Sequence, residues 1–313
     1  MSIKHQRNGL IDIYKFILGF WVMFHHNFFF IERRDDIFST AQLAVDFFFV
    51  ISGYYLLRSM KKKEELPVGK GVWQIVRDRS KPLLFSICFI TIFNLVCYFL
   101  FIRESIFENL FYMFRYWWYV LYLLIAASVF YLLYRLIKKK SAFIILLFVI
   151  AIGMAALDYY IETRAVVIYF YTFWTRTFGC IATGMLISYL PKWEFKKFNY
   201  SIPIIILLIP VIFYLAYKEK TFLTCILMII LFTSLVYFST NITFGGRFTD
   251  IIGRLGTRMY LYISFITTLY LLGLSHHRIL FVIDLALAVM DLILSEDKRK
   301  LDSLKQKSEA SDT

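Results

Sequence analysis

Cysteine is scarce in this chain of 313 residues. Its four cysteines, Cys88, Cys97, Cys180 and Cys225, all lie inside apolar runs without metal-ligand spacing, so nothing points to a metal centre or a disulfide framework. Charge is also thin, at 18% of residues, and unequal, with 22 acidic residues against 35 basic ones for a net charge of +13. The basic residues sit between apolar runs and not on one compact face, which argues against nucleic acid as a partner and for membrane topology. Repeats of the kind that mark inverted-repeat transporters are not visible. No soluble domain is apparent either. The polar stretch from Ser295, SEDKRKLDSLKQKSEASDT, reads as a disordered cytoplasmic tail covering 295–313.

What the chain has in abundance is apolar surface: 60% hydrophobic and 20% aromatic residues, with a mean hydropathy of +0.66, well outside the soluble range. We therefore expect an all-α, multi-pass protein of the cell membrane, with residues 1–294 embedded. Cutting at polar breaks predicts about ten transmembrane helices near 10–30, 41–57, 82–102, 117–134, 141–157, 165–190, 201–217, 221–238, 257–274 and 278–294. With the N-terminus inside, 25 basic residues fall on the cytoplasmic side and eight outside, which places both termini in the cytoplasm. Residues 103–116, RESIFENLFYMFRY, suit an interfacial helix on the outer face. The first span begins at the ninth residue without a small-residue cleavage site after it, and is read as retained.

That first span, GLIDIYKFILGFWVMFHHNFFF from Gly9 to Phe30, carries Asp12, Lys15, His25 and His26. Ionisable groups in a membrane span are costly and by default face a protein interior. Lys15 and His26 are eleven residues apart, which puts them within about 20° on one helix face and about 16 Å apart along the axis. The second span opens Ala44-Val45-Asp46, and antiparallel helices would bring His26 and Asp46 to similar depth in the outer half of the membrane. A carboxylate that fixes one imidazole nitrogen leaves the other basic, so His26 is a candidate base with Asp46 as its orienting partner. A histidine near a helix end also serves as a packing residue, and His25 keeps that reading open. Arg176, in the middle of a predicted span, needs an anion. Asp284 and Asp291, seven apart on one face, are its expected partners.

These residues resemble the acyltransferase 3 family of integral-membrane carbohydrate acyltransferases. The family's basic residue, ten intervening residues and histidine correspond to Lys15 and His26, and its preceding aspartate to Asp12. Its second-helix Gly-Val-Asp-Leu-Phe-Phe-Val-Leu-Ser-Gly-Phe is similar to AVDFFFVISGY from Ala44 to Tyr54, with Phe-Phe-x-x-x-Ser-Gly intact through Ser52 and Gly53. Arg79-Ser80-Lys81-Pro82 resembles an Arg-x-x-Pro element, with Arg77 close by. Weaker likenesses include Trp118-Tyr119, the segment around Arg176 and Gly184, and Leu255 to Tyr262, where the family's usual late histidine is replaced near Ser264.

The resemblance implies transfer of an acyl group, most often acetyl, from cytoplasmic acyl-CoA to a hydroxyl of a cell-envelope glycan or lipid-linked sugar, without a metal. It implies His26, Asp46 and Lys15 as catalytic residues. Lys15, Arg77, Arg79 and Lys81 would attract the phosphates of the coenzyme, and Ser52, Trp118 and Arg176 would lie on the acceptor side. His26 would act either as general base or as an acyl relay, and a separate extracytoplasmic chain could accept the acyl group. The rival reading is a transporter or flippase of acylated or sugar-linked lipid that uses Lys15, His26, Arg176 and Asp284 as a charge relay. A third is a catalytically idle scaffold for envelope assembly.

Overall fold

The computed structural model describes residues 8–32, 42–97, 99–100, 106–163, 169–191, 207–208, 211, 222–241, 246–273 and 276–311. Among them there are ten helices and no strand: α1 (Gly9–Glu32), α2 (Gln42–Lys61), α3 (Val68–Ser80), α4 (Leu84–Cys97), α5 (Ile106–Leu136), α6 (Lys140–Thr163), α7 (Tyr169–Ile187), α8 (Phe222–Asn241), α9 (Arg247–Leu271) and α10 (His277–Ser311). Two stretches, Trp118–Leu136 in α5 and Lys140–Tyr160 in α6, are each long and apolar enough to cross a bilayer, and α3 with α4 forms a third such unit bent by 68°. Most of the span expected at 201–217 lies outside the described residues.

Two expectations change. Residues 106–116 are not a separate helix but the opening turns of α5, because no glycine or proline interrupts the chain from Ile106 to Leu136. The tail from Ser295 is helical as far as Ser311 and not disordered. Its sequence is rich in strong helix formers and sets Glu296 four residues before Lys300, a favourable pairing on a helix surface.

Close crossings hold the bundle together. Gly19 of α1 faces the backbone of Gly256 in α9, and Gly256 in turn lies against Lys15 and Phe16. In the same way α2 and α7 meet at Gly53 against Ile181 and at Gly184 against Val50 and Tyr54. Such contacts are how helices pack in lipid, where backbone approach and dispersion replace the hydrophobic drive. A methyl group at these glycines has no room. Gly256→Ala is therefore expected to lower stability by about 1–3 kcal/mol, read as the thermal midpoint of the protein in a bilayer.

Polar contacts fix the ends. The Asn8 side chain accepts the amides of Leu10 and Ile11 at 3.1 and 3.2 Å, capping α1, and donates to the Ser239 carbonyl of α8 at 2.5 Å. Tyr131 of α5 donates to the Lys63 carbonyl at 2.9 Å, and Arg135 donates to the Leu66 carbonyl at 2.6 Å. These bonds clamp the turn between α2 and α3 and so set the direction in which α3 leaves. Between α9 and α10, Arg254 joins Asp250 and Glu296, while Arg258 reaches Asp291 at 3.4 Å and Ser295 at 2.6 Å. Asp291 also accepts a hydrogen bond from Ser86 of α4. It is thus committed to α4 and α9, and is not the partner of Arg176.

Candidate active site

The inward face of α1 runs through Lys15, Leu18, Val22 and His26 at helical spacing. Val22 is buried in one apolar core with Ala44, Val45, Phe48 and Phe49 of α2, and Leu18 packs on the same core. His26 stands one turn beyond Val22 on that face. Its ring meets His25 edge-on, with centroids 5.3 Å apart and planes at 81°. At the other end of the stripe the Lys15 ammonium is 3.6 Å from Asp12 and 5.8 Å from the centre of the Tyr55 ring. Asp12 is itself pressed against α9, where a Cβ on Gly253 would lie 2.6 Å from its side chain. The structure thus builds the Asp12–Lys15 pair into the junction of α1 and α9.

Asp46 is held by Arg176 of α7. One carboxylate oxygen accepts Nε at 3.0 Å and pairs with Nη2 at 2.9 Å. The expected partners Asp284 and Asp291 are on another helix, and Asp46 takes that place. The reason is sequence-remote packing: the glycine contacts of α2 with α7 bring positions 130 residues apart into register. A second carboxylate, Asp158 of α6, also acts on Arg176 and accepts a hydrogen bond from Thr175 at 2.8 Å. Cys180, one turn along α7, hydrogen-bonds Asp46. Neither Asp158 nor Cys180 stood out in the sequence, because each is a lone residue in an apolar run.

Next to this ion pair lies a group of aromatic and hydroxyl side chains. Tyr119 hydrogen-bonds Ser52 and packs against Phe49 at 4.6 Å and Tyr260 at 5.0 Å between centroids. Trp118 stacks on Phe173 at 4.1 Å with planes 19° apart, so one face of the indole is taken by the protein itself. Tyr119 and Tyr260 bring their rings together between α5 and α9, and sequence reasoning named them only within the weaker likenesses Trp118-Tyr119 and Leu255 to Tyr262. The side chain of Ser264 lies outside the described residues.

Of the four basic residues expected to meet a coenzyme, the three at the end of α3 divide. Gly71, Ile75 and Arg79 follow each other at four-residue steps on the face of α3 turned to the protein, where Gly71 lies under the Tyr131 ring and Ile75 is fully buried. Arg79 extends that face inward, where the neighbouring Tyr119 and Asp78 act on its guanidinium. Arg77 and Lys81 are exposed on the other side of the helix.

The inward face of α1 thus has a half-buried cation near one end and a histidine pair near the other, with hydroxyls and an ion pair on the neighbouring helices. A family profile described as an acyltransferase domain, the third of that designation, matches residues 8–290 and so covers the candidate site residues from Asp12 to Tyr260. The chain belongs to the acyltransferase 3 family. It is a membrane acyltransferase, and its apolar helices agree with the membrane association of that family. No curated protein and no solved structure matches this acyltransferase.

Proposed function

We propose that this acyltransferase moves an acyl group, in the first instance acetyl, from cytoplasmic acyl-CoA to a hydroxyl of a cell-envelope glycan or lipid-linked sugar. The observation that carries the proposal is the single face of α1 that bears Lys15 and His26 and packs into the core with α2. Their offset of about 16 Å along the axis is close to the length of an extended pantetheine arm. Arg79 supports the reading because its charge faces the bundle from the cytoplasmic side. Arg77 and Lys81, exposed at the same rim, add to the field that draws phosphates without facing the interior.

In direct transfer, His26 takes the proton of the acceptor hydroxyl as its oxygen bonds to the thioester carbonyl carbon. The carbon–sulfur bond then breaks, and the imidazolium returns its proton to the departing thiolate. In a relay, a His26 ring nitrogen bonds to the thioester carbonyl carbon as the carbon–sulfur bond breaks, and the departing thiolate takes the proton of the other ring nitrogen. The acceptor oxygen then displaces the imidazole while its hydroxyl proton passes to the ring. Both routes need the imidazole neutral before reaction. Arg176 and Ser52 are assigned to the acceptor side, with Asp46 governing where the Arg176 guanidinium points.

The test is transfer of labelled acetyl from acetyl-CoA to envelope glycan by the purified protein in a bilayer without an ion gradient. Alkali-labile label on the sugar is expected. Gradient-driven movement of the sugar-linked lipid across the bilayer, with no label transferred from acetyl-CoA, would overturn the proposal in favour of transport. Arg79→Ala is expected to raise the KM for acyl-CoA roughly 10–100-fold, the loss of one hydrogen-bonded charge, with a smaller change in kcat.

A further inference from the structure

Helix α3 has a second face, which enters the proposed chemistry only through the long-range field of Arg77 and Lys81. Lys70, Trp73 and Arg77 lie on it at three- and four-residue spacing, all exposed, and Lys81 continues the line. Trp73 leaves 64% of its surface uncovered although it is the largest apolar residue of the helix. Among the described residues no carboxylate pairs with Lys70 or Arg77. The nearest acid in sequence, Asp78, is taken by Lys63 at 2.6 Å. This is a positively charged stripe centred on an indole.

Its level in the membrane follows from α4. The exposed apolar face of α4 starts at Leu84 and Phe85 and continues through Phe89, Ile92 and Val96. In a membrane acyltransferase that face meets acyl chains. The exposed cations end at Lys81, three residues earlier, so the headgroup layer falls at the junction of the two helices. At that junction α3 is turned by 68° from α4. The clamp of Tyr131 and Arg135 on the preceding turn holds it in that attitude.

We propose that the Lys70–Trp73–Arg77 stripe binds the phosphate headgroups of anionic phospholipid. Indole rings favour the boundary between headgroups and acyl chains, and cations just beyond that boundary are drawn to an anionic leaflet. The stripe combines both on one face. An acidic protein would be served by the charges but would leave the indole without an apolar layer to enter.

The test uses the full chain reconstituted in phosphatidylcholine with or without phosphatidylglycerol, then extracted gently for measurement of the lipid retained. Wild type is expected to retain phosphatidylglycerol in preference to phosphatidylcholine. Lys70→Gln with Arg77→Gln is expected to cut that preference by roughly tenfold or more, whereas Lys138→Gln with Lys139→Gln, an equal charge change at another exposed turn, leaves it intact. Quenching of fluorescence by lipids brominated near the headgroup is expected to fall in Trp73→Phe. Equal loss in both double variants, displacement of the lipid by inorganic phosphate, or unchanged quenching in Trp73→Phe would each overturn the proposal. None of these readouts depends on acyl transfer, so the lipid site and the catalytic reading fail independently.

Discussion

His26→Ala is expected to lower acyl transfer by about 10²- to 10⁴-fold, the usual contribution of a positioned acid–base group, while His25→Ala keeps most of the activity. The two histidines are adjacent and touch edge-on, so burial and proximity do not separate them. Helix geometry does. His26 is eleven residues from Lys15 and shares its face, whereas His25 is turned by about 100° from it. The comparison is made on envelope glycans from cells at matched membrane abundance of each variant. A lesion in His25→Ala as deep as in His26→Ala would mean that the pair acts as one unit. Normal acylation by His26→Ala would remove the base altogether and leave the charged face of α1 to transport or packing.

What the sequence discloses about this protein follows helical periodicity. The Lys15–His26 face needs only the rise and turn of one helix, and the structure keeps it facing the core through Leu18 and Val22. The Asp46 position was equally readable, since it opens α2. Its partner was not. Arg176 meets Asp46 because Gly53 and Gly184 let α2 and α7 approach, a tertiary contact that no one-dimensional spacing encodes. The same holds for Tyr119, whose hydroxyl matters through Ser52 and whose ring adjoins Tyr260 of α9. Aromatic residues are so common in this chain that composition could not single out Tyr119 and Tyr260. Arg79 is an intermediate case. Its motif was legible, yet its separation from Arg77 and Lys81 emerges only once α3 is known to be a helix with an inward face at Gly71 and Ile75. The helical tail was misread because a charged segment satisfies the composition of disorder and of an exposed helix alike.

The second large effect concerns the ion pair of Asp46 and Arg176, whose side chains keep 20% and 12% of their surface exposed. Removing one member of a fully buried pair costs about 3–5 kcal/mol because it leaves an uncompensated charge; a part of that is expected here, and the two halves are not equivalent. Arg176→Met strips the cation from between Asp46 and Asp158 and leaves two carboxylates facing each other across α2, α6 and α7. Asp46→Asn leaves Arg176 with Asp158 still beside it and an amide that still accepts a hydrogen bond. The arginine variant is therefore expected to lose more stability than the asparagine variant, measured as thermal or denaturant midpoints in the same lipid. Replacing both members, Asp46→Leu with Arg176→Met, returns much of the loss, since apolar side chains of similar volume often match a buried ion pair in stability. This double variant decides what the pair is for. If it folds and transfers acyl groups at the wild-type rate, Asp46 and Arg176 only join α2 to α7. The expected result is a folded protein with acyl transfer reduced more than tenfold, because the double variant lacks the Arg176 guanidinium assigned to the acceptor beside the Ser52–Tyr119 group.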